Sequence, residues 1–113
     1  MNPRIQKLWI AALNSGNYVQ GHNRLRESTQ AGDYSWCCLG VLCDLYEQEH
    51  DNHDAFGDVS YPSGDVMAWA DLGLTESRDY AEMNDGAAVN GHEKQSFETI
   101  AEAIALDDSH WGG

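Results

Sequence analysis

Trp36-Cys37-Cys38-Leu39-Gly40-Val41-Leu42-Cys43-Asp44-Leu45-Tyr46 is the most apolar stretch of the 113-residue chain. Its spacing predicts a strand that passes into a helix at about Cys37 and runs to about Gln48. Leu39, Leu42, Cys43, Leu45 and Tyr46 would cover most of the girth of that helix. A helix apolar on several sides must be surrounded, so the fold is expected to be built around it.

Upstream, Ile5, Leu8, Trp9, Ala12 and Leu13 recur every three to four residues, which predicts a helix over Pro3–Leu13. Asn2 suits its N-cap, Pro3 its first turn and Gly16 a left-handed stop. Residues 17–36 alternate large apolar residues with turn formers, as in a loose hairpin turning near Gln30–Asp33. Downstream, 47–60 reads as a polar loop. A helix is expected over Pro62–Leu72, capped by Ser63 and stopped by Gly73. Residues 79–83 suggest a short strand, 84–94 a loop, and Phe97–Leu106 a last helix capped by Ser96. The expected fold is one α+β domain over residues 1–113, with three to four helices packed on a small antiparallel sheet or hairpin.

The charge is lopsided. Nineteen Asp and Glu against six Lys and Arg leave −13, and a chain so acidic repels nucleic acid and anionic membranes. Residues 1–26 carry Arg4, Lys7, Arg24 and Arg26 and no acid, while 27–113 carry every acid and only Arg78 and Lys94. The two segments attract each other, within one fold or between copies, so a homo-oligomer is expected. Three cysteines clustered in one apolar segment do not make a disulfide framework. They imply a reducing compartment. The N-terminal apolar run is short and interrupted by charge, unlike a signal peptide, and no stretch is long enough to span a membrane.

In order along the chain, Trp9, Leu13-Asn14-Ser15-Gly16, Tyr18-Val19-Gln20-Gly21, Cys37 to Leu45, Tyr61-Pro62, Val66, Trp69-Ala70, Leu72, Met83-Asn84-Asp85, Ser96-Phe97 and Ile100-Ala101 resemble a group of small accessory proteins of tailed bacteriophages. Cys-Cys-Leu-Gly-Val-Leu-Cys-Asp-Leu is the most specific part of that resemblance. It implies a viral protein acting in the host cytoplasm, where small phage proteins often counter host defence. It carries over no catalytic residue.

Several constellations bear on chemistry. A thiol at the start of a helix is the layout of cysteine peptidases, which would make Cys37 or Cys38 the nucleophile and His92 or His22 the base. Small apolar core residues are the simpler reading of all three cysteines. His50 and His53, with Asp51, Asp54 and Asp58, are metal-ligand types without a third nearby His or Cys. Asp44, Asp65, Asp71 and Asp85 could pair as acids, but nineteen acids make chance pairs common. No catalytic residue, metal or cofactor is assigned.

The segment 18–36 points instead to binding. Arg24 and Arg26 stand two apart, so on a strand they share a face. Guanidinium groups grip phosphate, and Tyr18, Tyr34 and Trp36 can stack a base. The expected ligand site is Arg24, Arg26, Tyr18, Gln20, His22 and Trp36. The expected function is a counter-defence sponge for a small phosphate-bearing ligand such as a nucleotide immune signal. The alternative is an acidic inhibitor, or nucleic-acid mimic, that blocks a basic surface of a host defence protein through acids in 47–58.

Overall fold

The computed structural model describes residues 2–21, 25–28, 34–50, 62–85 and 95–107. Its elements are α1 (Pro3–Asn14), β1 (Val19–Gln20), β2 (Arg26–Ser28), β3 (Tyr34–Trp36), α2 (Cys38–His50), α3 (Gly64–Ala70), α4 (Leu74–Asp85) and α5 (Phe97–Asp107). The class is α+β, with five helices and three strands among the described residues.

The helix α2 lies at the centre, as its sequence requires. Cys38, Leu39, Val41, Leu42 and Cys43 have no exposed surface. Burying a side chain such as Leu42 contributes about 1.5–3 kcal/mol. Ile5, Trp9 and Leu13 of α1 pack into the same cluster, together with Val66 and Ala70 of α3 and Phe97, Ile100 and Ile104 of α5. The Trp9 indole N–H would be costly to bury unpaired. It donates to the Cys38 carbonyl at 2.8 Å, fixing α1 against the start of α2. Buried Gln6 donates to the Ile104 carbonyl at 2.6 Å, so α1 is joined to α5 as well.

The α1 ends follow the sequence. Asn2 Oδ1 accepts from Arg4 N and Ile5 N, and Gly16 takes a φ of 79° just beyond the C-cap. At α5, Ser96 Oγ accepts from Thr99 N at 3.2 Å. The end of α3 corrects the expectation. Asp71, not Gly73, adopts the left-handed conformation (φ 52°) and closes the helix. Ser63 holds the N-cap position there, but its hydroxyl makes no capping hydrogen bond.

The sheet is mixed rather than antiparallel, in the order β1-β3-β2. The expected antiparallel pair is present, β2 running against β3 with Arg26 opposite Trp36 and Ser28 opposite Tyr34; the turn expected near Gln30–Asp33 lies outside the described residues. Beyond it, β1 joins the other edge of β3 in parallel, pairing Gln20 with Trp36. Residues 79–83 are not a strand; they lie inside α4, the helix that raises the number above three to four.

Candidate functional site

The row Gln20–Trp36–Arg26 crosses the three strands. Side chains directly opposite each other share a face, and diagonal neighbours remain within reach. Register therefore brings Arg26 beside Trp36 and, diagonally, beside Tyr34. The Arg26 guanidinium carbon lies 4.9 Å from the Tyr34 ring centre and 5.6 Å from that of Trp36. Tyr34 and Trp36 themselves meet at 5.9 Å, and Tyr18 meets Trp36 edge-on at 5.3 Å. Arg26 and Tyr34 are exposed, while Tyr18 and Trp36 are half-buried. The result is an aromatic surface with the Arg26 guanidinium held against it.

Guanidinium donors lie in the plane of the group, so a contact with ring faces does not consume them. Such a contact is worth about 0.5–1 kcal/mol at an exposed site. It also restricts the long side chain before any ligand arrives, which lowers the entropy lost on binding.

Tyr18 connects this surface to the helices. Its hydroxyl donates to Asp44 Oδ2 at 2.5 Å, and Gln48 Nε2 donates to the same oxygen at 2.7 Å. Partial burial, then the hydrogen bond to the Asp44 carboxylate, holds the Tyr18 hydroxyl protonated well above the usual phenol range. Between the end of α1 and the middle of α2 runs an open groove of about 550 Å³. Tyr18, Asp44 and Gln48 form its polar wall, and Ala11, Ala12 and Leu45 its apolar part.

Gln20, expected at the ligand, turns its amide into the protein. It donates to Asn84 Oδ1 at 3.0 Å and to the Gln95 carbonyl at 2.6 Å. Fully buried Asn84 also accepts from Cys38 N at 3.2 Å and donates to the Gly21 carbonyl at 2.8 Å. One amide thus fastens the end of β1 to the first turn of α2. Its spacing gives no local sign of this, because its partners are 46 to 64 residues away. Arg24 and His22 lie outside the described residues. The structure therefore brings together Arg26, Trp36 and Tyr18 of the six expected residues and adds Tyr34 to them.

The three cysteines are free and buried. Cys38 Sγ lies 3.4 Å from the Tyr80 carbonyl, and the Gly40 amide points to Cys37 Sγ at 3.4 Å. Burial, with Cys37 nearby, pushes the Cys43 thiol far above its usual range, which is the opposite of an activated nucleophile. His92 is outside the described residues. His50 stacks on Tyr46 at 4.2 Å, its Nδ1 3.1 Å from the Tyr46 carbonyl. Among the described residues no three His, Cys, Asp or Glu side chains gather at metal-binding distance. His53, Asp51, Asp54 and Asp58 lie outside them. No helix among the described residues is long and apolar enough to cross a membrane.

The fold and this face define a small α+β domain wrapped around one apolar helix, with an arginine set in an aromatic surface. The chain belongs to the domain family of unknown function DUF8296, whose model matches residues 1–107. Neither the curated proteins nor the solved structures contained a match to it.

Proposed function

We propose that this protein captures a small phosphate-bearing ligand, a nucleotide, on the sheet face formed by Arg26, Tyr34 and Trp36. The observation that carries the reading is the Arg26 guanidinium 4.9 Å from the Tyr34 ring and 5.6 Å from Trp36. A phosphate needs paired N–H donors, and a base needs a flat π-surface. In a chain of net charge −13, an anion site must concentrate its cations locally, and the acid-free segment 1–26 ends at Arg26. The resemblance to tailed-phage accessory proteins supports placing this capture in the host cytoplasm, as a sponge for a nucleotide immune signal. Two copies meeting at this face would enclose the ligand more fully than one.

Calorimetry with a panel of cyclic and linear nucleotides tests the reading. Arg26→Ala should weaken binding by about 1.5–3 kcal/mol, on the order of ten- to a hundredfold. The rival inhibitor reading depends on acids in 47–58. Of these, Glu49 accepts from Arg4 at 2.7 Å, Glu47 is half-buried and the remainder lie outside the described residues. If no nucleotide binds the wild type, and activity survives Arg26→Ala but not neutralisation of that loop, the inhibitor reading replaces this one.

A further inference from the structure

The groove between α1 and α2 has a chemistry opposite to that of the Arg26 face. Its side-chain donors are largely used internally. The Tyr18 hydroxyl and the Gln48 amide both donate to Asp44 Oδ2, which fills that oxygen's two lone pairs. Ser15 Oγ donates to the Ala12 carbonyl at 2.6 Å and accepts from Asn17 N at 3.1 Å. The exposed Asn17 amide can turn either end to a ligand. No described residue donates to Asp44 Oδ1. Among the described residues neither Lys nor Arg lines the groove. Asp44 is half-buried, and two donors fix its carboxylate plane in place.

An anion in this groove would meet a carboxylate and, among the described residues, no cation. A cation would meet a preorganised charged acceptor beside the apolar surface of Ala12 and Leu45. We infer that the groove binds an organic cation, an alkylammonium or guanidinium group. Its N–H donors reach Asp44 Oδ1 and its methylenes lie along Leu45 and Ala12. This inference stands apart from the nucleotide reading: it uses none of Arg26, Tyr34 and Trp36, and it takes Tyr18, which also borders that face, only as a donor to Asp44.

The test is an NMR titration of the full chain at physiological salt, following the Leu45 methyl and Gln48 side-chain amide signals. The probes are n-butylammonium, methylguanidinium, neutral n-butanol and inorganic phosphate. The two cations should shift both signals saturably, and the neutral and anionic probes should not. Asp44→Asn keeps an oxygen for Tyr18 and Gln48 but removes the charge, and it should weaken cation binding at least tenfold. Ala11→Lys, at an exposed position of the same groove, supplies an internal competitor and should block the probes while leaving Asp44 intact. Glu98→Gln, an exposed acid on α5, should change nothing and so controls for general attraction to an acidic surface. A blocked tripeptide with one central lysine separates the two sources of such a cation. Binding tighter than that of butylammonium marks a protein side chain, and weaker binding marks a free amine. Cation shifts spread equally over all exposed acids, or unchanged by both Asp44→Asn and Ala11→Lys, would overturn the inference.

Discussion

The carbonyl oxygen of Leu25 occupies the space that a Cβ on Gly40 would need. That oxygen also accepts from Cys37 N at 3.2 Å, so the chain just before β2 is seated on the first turns of α2. The contact is backbone against backbone, and no side-chain rotation relieves it. Gly40→Ala should therefore cost about 3 kcal/mol, the upper end of overpacking penalties. Urea denaturation measures this, and a change under about 0.5 kcal/mol, typical of an open surface site, would contradict the seating.

Asn84 serves three segments, so its loss affects one buried and two half-buried groups together. Asn84→Ala leaves the Cys38 N–H and the Gly21 carbonyl without the amide that serves them here. At about 1–3 kcal/mol for each group that loses this partner, the expected cost is about 3 kcal/mol. Asn84→Asp keeps the acceptors but cannot donate to Gly21, and should also lower the denaturation midpoint at neutral pH. Equal midpoints for wild type and both variants would show that the amide holds nothing.

The thiols should be silent until the protein opens. Cys37, Cys38 and Cys43 are all buried, and ionisation of Cys43 is further suppressed by that burial. In native buffer, a chromogenic disulfide reagent should label all three at one common rate, the rate of unfolding. Fast labelling of a single thiol in the folded protein would restore the nucleophile reading of Cys37 or Cys38.

Tyr18 predicts an alkaline limit to stability. Its proton is held above the ordinary phenol value of 10.0, by burial first and by Asp44 second. The unfolded chain loses this proton near that value while the folded chain retains it. The stabilisation is thus complete below about pH 10 and declines as pH rises through the folded value. Tyr18→Phe should cost about 1–2 kcal/mol at pH 7, a charged hydrogen bond reduced by partial solvent screening. Wild type and variant should converge at strongly alkaline pH. Parallel stability curves from pH 7 to 12 would contradict the assignment.

Where apolar residues carried the helical period, the sequence was legible. The Ile5–Trp9–Leu13 face of α1, the crowded α2 and the Phe97–Ile100–Ile104 face of α5 all lie where their spacing predicts. Helix α4 was not legible, for a specific reason. Among its residues of described burial the buried positions are Ser77, Tyr80 and Asn84, at spacings of three and four, so polar residues carry much of that period. Apolar letters alone leave only a short patch at 79–83, which imitates a strand. Strand β1 escaped because two residues hold no pattern, and the amide that braces its end, Asn84, lies far along the chain. At the site, Arg26 and Trp36 could be placed together because a hairpin fixes their register locally. Gln20 could not, because its partners come from α4 and from the residues preceding α5.

The Asn84 fastening also sets a timetable. Gln20 and Gly21 are synthesised 64 and 63 residues before the amide that binds them. At about 5–20 residues per second, roughly 3–13 s separate their appearance from its own. Once β3 has been made, β1 is held to it by a two-residue ladder and by the Gly21 N–H, which donates to the Trp36 carbonyl at 2.7 Å, without the Asn84 amide. The sheet is therefore finished late, after most of the chain has left the ribosome. Until then the β1 side of the sheet lacks its fastening to α4, and chaperone demand should fall on that window rather than on the early hairpin.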